Sequence, residues 1–217
     1  MILERIILME ETRNRILEHS VKKFMENGFY KTSMEEISSE LGISKKTLYK
    51  YFDSKSDLVR QVVVNFIELQ KKRVDEIIMD KKADIIEKLI LLTKRNTDST
   101  RMVNEKFRND IRLHEPKLHK YCEKFQNEST SRIVTELIKQ GKKEKVIEDY
   151  PPALIVESTN VLLRNLFSME YISGSGYSTD TIFKFIVNLL LNGVLTPRGK
   201  MKFKTYKKRR VYNGKNR

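Results

Sequence analysis

The sequence predicts an all-α protein of about nine helices, on three observations. Apolar residues recur at intervals of three and four along almost the whole chain. The 217 residues include eight Gly and four Pro, too few for the many tight turns of a β-sandwich or barrel. Where those residues fall, as at Gly28, Gly42, Gly141 and Tyr150-Pro151-Pro152, they punctuate periodic apolar segments. With 39% hydrophobic residues, nine Tyr and ten Phe, the chain can fill a core. Its 33% charged residues do not move it into the range of disordered chains.

The first helix carries Ile16, Leu17, Val21, Phe24 and Met25 on one face and stops at Gly28. Ser33 and Glu36 have the spacing of a capping box, which opens a short second helix through Met34, Ile37 and Leu41. Gly42 ends that helix. Ser44 caps a third, with Leu48 and Phe52 as its apolar positions, and Ser54 with Asp57 starts a fourth through Leu58, Val62, Phe66 and Leu69. Ile85, Leu89 and Leu92 indicate a fifth helix, and Phe107, Ile111 and Leu113 a sixth that stops before Pro116. A long seventh runs from Leu118 to about Gly141. Two more are expected over 153–172 and 180–195, separated by a flexible Ser173-Gly174-Ser175-Gly176 connection. The domain boundaries expected are 1–52, 53–196 and a tail over 197–217.

The net charge of +14 is unevenly placed. Residues 197–217 hold ten Lys/Arg and no acid, which leaves 33 basic against 29 acidic residues in the body. Like charges in a block repel and stay extended, so the tail is expected to be disordered and solvated, with auxiliary contact to nucleic acid or an anionic surface as the alternative. One cysteine excludes a disulfide framework and a multi-cysteine metal site. His114, His119 and Cys122 are the closest approach to a soft-ligand cluster, but Pro116 separates His114 from the other two, so neither metal nor cofactor is expected. No run of about 18 apolar residues and no leader pattern is present, and a cytoplasmic chain with no membrane partner is expected. No nucleophile or acid–base constellation suggests an enzyme.

The stretch Ser33–Lys55 carries the chemistry. Two short helices joined by a Gly-containing turn make a helix-turn-helix, packed through Leu41, Ile43 and Leu48. The second of them presents Lys45, Lys46, Thr47, Tyr49 and Lys50 outward: three cations, a hydroxyl and a phenol with no acid. That mixture suits phosphate and base-edge contact. Residues 1–60 hold 11 basic and 10 acidic residues, so the positive face is local.

Residues 12–64 resemble the N-terminal DNA-binding domain of TetR-type transcriptional regulators. The resemblance rests on Phe24 and Gly28-Phe29, Thr32-Ser33-Met34 with Ile37, Leu41-Gly42-Ile43-Ser44, Thr47-Leu48-Tyr49-Lys50-Tyr51-Phe52, and Ser54-Lys55 with Leu58. It implies that Ser33 caps its helix and touches a phosphate. By the same resemblance Lys45, Lys46, Thr47, Lys50 and Tyr51 reach the major groove, and Tyr49 and Lys55 meet the backbone. Tyr51 fits a packing role equally well. A lysine at 46, where the family often has a small residue, leaves the base preference open.

The resemblance further implies a dimer on a palindromic operator, repression, and release by a small-molecule effector. A nucleoid-associated or structural DNA binder without an effector is the alternative. The last two long helices resemble the pair that forms a four-helix bundle between subunits, giving Leu162, Leu166, Ile182, Phe185, Ile186, Leu189 and Leu190 as interface candidates. Independently, apolar residues wrap nearly the whole circumference of 180–195, as a helix buried on several sides requires; the centre of a monomeric core meets the same requirement. Phe107, Ile111, His114, Tyr121, Phe125, Phe167 and Tyr171 are candidates for an effector pocket, and fit plain core packing as well.

Overall fold

The computed structural model describes residues 2–102 and 105–213, with side chains described for 9–95, 105–168 and 170–206. Eleven helices follow one another among the described residues: α1 (Ile2–Asn27), α2 (Met34–Glu40), α3 (Lys45–Tyr49), α4 (Lys55–Met79), α5 (Ile85–Met102), α6 (Glu105–His114), α7 (Pro116–Lys143), α8 (Pro152–Leu166), α9 (Met169–Ser175), α10 (Thr179–Val194) and α11 (Pro197–Asn213). The extended contact among them is an isolated antiparallel bridge between Ile147 and Leu195.

Two of these helices depart from the sequence reading. The segment expected as one helix over 153–172 is two, because Ser168 leaves helical geometry and caps α9 by accepting the Tyr171 amide. The Gly-Ser run expected as a flexible connection supplies the last turn of α9. The basic segment expected to be disordered forms α11. Charge repulsion disfavours it, but Phe203 and Tyr206 pack against a buried cluster that includes Ile85, Ile86, Val146 and Leu195. Partly burying two aromatic side chains, each worth a share of the roughly 1.5–3 kcal/mol of full burial, outweighs the few tenths of a kcal/mol that each like-charge pair costs.

Two compact units divide the chain: Met1–Gln70 with Met102–Cys122, and Lys71–Arg101 with Glu123–Arg217. The first has a core of Ile16, Phe24, Phe29, Ile37, Leu48, Phe52, Leu58 and Val62, all buried. It extends past residue 52 and takes in α6, whose Phe107 and Ile111 are buried. Phe107 stacks on Phe24 with ring centroids 6.1 Å apart and meets Phe29 edge-on at 6.0 Å. The second unit holds two apolar clusters, one around Ile85, Ile138, Val146 and Leu191, the other around Ile172, Ile182 and Ile186 with Leu162, Leu166 and Leu190 packed against it. Lys88, fully inside this unit, donates to the Ile78 carbonyl at 2.7 Å and to Gln140 at 2.9 Å. No described helix is long and apolar enough to cross a membrane.

Candidate nucleic-acid interface

The α2–turn–α3 geometry follows from its caps. The Ser33 hydroxyl accepts the Glu36 amide at 3.0 Å while the Glu36 carboxylate reaches back to the Ser33 amide, completing the expected box. Gly42 turns the chain at φ +66°, a left-handed conformation that strains residues with a side chain. The Ile43 amide then donates to the Ser38 carbonyl at 3.0 Å, closing the end of α2. Ser44 caps α3 through the Thr47 amide at 3.0 Å. Leu48, wholly buried, fixes the rotation of α3 and therefore which residues it shows to solvent.

On that outer side lie Lys45, Lys46, Tyr49 and Lys50, all exposed, with Thr47 half-buried. The Thr47 hydroxyl shares a 2.9 Å hydrogen bond with Ser44. Tyr51 follows α3 in a turn and is half-buried. Sequence reading found no acid on α3, but α2 supplies one: Glu35 pairs with Lys45 at 2.7 Å. With both partners exposed the pair is worth about 0–1 kcal/mol, so a phosphate can displace Glu35 at little cost.

Lys55, at the start of α4, is turned toward the chain rather than outward. Its ammonium donates to the Tyr30 carbonyl at 2.8 Å and lies 5.8–5.9 Å from the Phe29 and Tyr30 ring centroids. Burial lowers its pKa, and the nearby Asp110 charge opposes that. Two of its three ammonium protons remain for another acceptor. Ser54 caps α4 through the Asp57 amide at 3.0 Å. The Asp57 carboxylate reaches the Asp53 amide rather than that of Ser54, and also binds Arg60 and Gln61. Partial burial raises the Asp57 pKa, but those hydrogen bonds win and hold it below the usual carboxylate value.

Two supports of the interface were not evident from the sequence. Glu40 at the end of α2 binds Lys23 and His19 of α1, at 2.5 Å and 3.0 Å. Arg13 binds Gln61 and lies over the Phe52 ring. Charge spacing in sequence gives no hint of either, since each joins residues far apart in the chain.

The seven effector-pocket candidates fall in both units. Phe107 and Ile111 pack the core of the first unit, His114 stacks on Tyr30, and Tyr121 is exposed. Phe125, Phe167 and Tyr171 belong to the second unit, where Phe167 meets Phe183 edge-on at 6.3 Å. Two open depressions of about 240 and 200 Å³ are described in that unit, and none of the seven lines them. Among the interface candidates, Ile182 and Ile186 are buried within the subunit and so unavailable to a partner. Leu162, Leu166 and Leu190 are partly buried against them. Phe185 and Leu189, 58% and 50% exposed, remain open. Among the described residues no group of three or more His, Cys, Asp or Glu is placed to hold a metal.

Comparison with known proteins agrees with this geometry. Residues 16–62 match the model of bacterial regulatory proteins of the tetR family. The chain is 27% identical over 180 residues to the HTH-type transcriptional regulator YvaF of Bacillus subtilis, covering 83% of this chain and 94% of that one. It is 42% identical over 60 residues to the HTH-type regulator SAUSA300_2515 of Staphylococcus aureus, but spans only 32% of that protein and 28% of its own length. Among solved structures, a transcriptional regulator from Saccharomonospora viridis in complex with choline aligns with TM-score 0.68 at 21% identity, over 86% of this chain and 99% of that one. A regulator of the TetR/AcrR family from Thermobifida fusca aligns with TM-score 0.59 at 22% identity, over 84% and 98%. The helix-turn-helix with its supporting helices and these likenesses together identify residues 16–62 as a DNA-binding domain of the tetR family of bacterial regulatory proteins.

Proposed function

We propose that this regulator is a dimeric repressor, that its two α3 helices read an inverted repeat, and that a small-molecule effector releases it. The observation that carries the DNA reading is the outer side of α3: Lys46, Thr47, Tyr49 and Lys50 free of acidic neighbours, on a helix locked in rotation by buried Leu48. Lys46 and Lys50 supply cations for guanine edges or phosphates, and Thr47 a hydroxyl. Ser33, Tyr49 and Lys55 serve the backbone, and Tyr51 serves packing and the groove edge. Dimerisation is supported by the exposed Phe185 and Leu189, one turn apart on α10, and by the exposed Val161 on α8, the helix that packs against α10. A pair of large apolar side chains at that spacing is a seam for a partner helix.

Effector release requires that the ligand bind one conformation of the second unit better than another. Helices α4 and α7 each begin in the first unit and continue into the second, so such a difference can reach the head, and with it α3, along either of them. A switch from 99:1 to 1:99 needs about 5.5 kcal/mol of differential affinity. The choline bound by the S. viridis regulator does not carry over, since 21% identity supports a common fold and not a common ligand.

Selection from random duplex DNA with the full chain tests the reading. An enriched inverted repeat, with half-sites about one helical turn apart or a multiple of it, is the expected result. Recovery of DNA without any enriched motif would overturn the operator reading and leave a sequence-independent binder in its place.

A further inference from the structure

We propose that α11 is a second DNA-binding element, separate from α3, which holds the phosphate backbone of duplex DNA without reading its sequence. The helix combines a firm mounting with a charge that its own fold does not use. Its first turn is fixed against the 146–148 segment. The Thr196 amide donates to the Val146 carbonyl at 3.1 Å, and the Glu148 amide to the Val194 carbonyl at 2.9 Å. Gly199 lies so close that an added Cβ would stand 2.4 Å from the Val146 carbonyl oxygen. Further along, Lys202 pairs with Asp84 at 3.2 Å, and Phe203 and Tyr206 pack on the core.

The remaining charge has no counterpart among the described residues. There Arg198, Lys200 and Lys204 make no ion pair, and the helix continues in sequence with Lys207, Lys208, Arg209 and Arg210. Positions 200 and 204 stand one turn apart on the helix, where a like-charge neighbour costs the isolated helix a few tenths of a kcal/mol. A segment held in place by apolar contacts while its cations repel one another is stabilised when a polyanion neutralises them. Duplex DNA, the partner proposed above for α3, offers one negative charge per about 1.7 Å of axis and releases condensed counterions on contact. An anionic membrane fits less well. A surface-seeking helix needs a free apolar face, whereas Phe203 and Tyr206 are used in packing and Met201 is the exposed apolar residue among those described.

The test compares three full-length chains on a duplex of arbitrary sequence: wild type, the variant Lys204→Gln/Lys207→Gln/Lys208→Gln/Arg209→Gln/Arg210→Gln, and a control Lys81→Gln/Lys82→Gln/Lys94→Gln/Lys139→Gln/Lys143→Gln with the same net charge as the variant. The slope of log K against log salt falls by about 0.9 for every phosphate that is no longer neutralised, so the α11 variant should lose about two or more units while the control keeps the wild-type slope. Lysine acetylation of the wild-type chain gives a second reading, which does not depend on α11 staying docked in the variant. Duplex DNA should protect Lys200 and Lys204 and leave Lys81 and Lys82 reactive. Equal slopes in all three chains, an equal loss in the control, or no protection of Lys204 overturns the proposal. So does binding of the helix to phosphatidylserine-containing vesicles with unchanged duplex affinity in the variant. Operator binding through α3, followed separately with Lys50→Gln, does not depend on the outcome.

Discussion

The Tyr30 phenol lies flat on the His114 imidazole, with ring centroids 3.8 Å apart and planes 11° from parallel. Around this stack the Asp110 carboxylate accepts the Tyr30 amide at 3.0 Å, and Phe29 stands edge-on to Phe107 and His114. Helix α6 thereby grips the turn that leads into α2. The approach to the helix-turn-helix is thus held by a contact between residues 80 positions apart in sequence.

Phe107→Ala should show this dependence directly. The side chain is buried against Phe24 and Phe29, and removing it leaves a cavity and two lost ring contacts. A loss of about 3–5 kcal/mol is expected. Denaturant unfolding should register it, and operator affinity should fall although Phe107 touches no DNA. Unchanged stability would mean that α6 contributes nothing to the head.

Acid should loosen the contact between α1 and α2. The hydrogen bond from Lys23 lowers the Glu40 pKa; slight desolvation opposes it, and the Lys23 charge and His19 add to the lowering. A carboxylate with a depressed folded pKa contributes stability above its unfolded value, near 4.3, and loses it as pH falls through the folded value. Lys23, raised by the same hydrogen bond, contributes below its unfolded value and loses its part as pH rises through the folded one. Glu40→Gln should therefore flatten the decline in stability in the acid range and also the one at alkaline pH. A pH–stability curve identical to wild type would show that the pair carries no net energy.

The sequence made the helix-turn-helix legible because its determinants are local. Ser33, Gly42, Ser44 and Ser54 each act within four residues, and each does in the structure what its spacing implies. What it did not disclose are relations between distant residues. The periodicity of α6 marks Phe107 and Ile111 as one apolar face, but a face carries no address, and it is the structure that shows α6 packing on α1. In the same way the all-round apolar α10 satisfies part of its need internally, through Ile182 and Ile186. The basic run of α11 misled for another reason: its eight cations within the helix dominate the composition, while two aromatic residues decide its structure.

Dimer formation should be separable from folding on α10. Phe185→Glu with Leu189→Glu places charges on positions that are exposed in the subunit, so the chain should stay folded while a partner helix is repelled. Ile186→Glu, at a position 1% exposed, should instead unfold the second unit. Mass measurement at micromolar concentration should give a dimer for wild type and a folded monomer for the double variant. A wild-type monomer, or a double variant that remains dimeric, would move the interface elsewhere.

Lys55 has two tasks to separate, one in the fold and one toward DNA. Its ammonium already donates to the Tyr30 carbonyl, which ties α4 to the same turn that α6 grips. Lys55→Ala should therefore cost about 1 kcal/mol of stability, the net worth of a partly solvated, charge-assisted hydrogen bond. If the two remaining protons also reach a phosphate, binding should weaken on every sequence alike, and the salt slope should fall by about 0.9 per subunit. Lys50→Ala on α3 should do the opposite: leave stability unchanged, since the side chain is exposed at the end of α3, and alter which sequences are preferred. Measuring both variants on the selected operator and on a mismatched duplex distinguishes the roles. Loss of affinity in Lys55→Ala with an unchanged salt slope would assign the lysine to the turn alone, and the backbone contact would then fall to Ser33 and Tyr49.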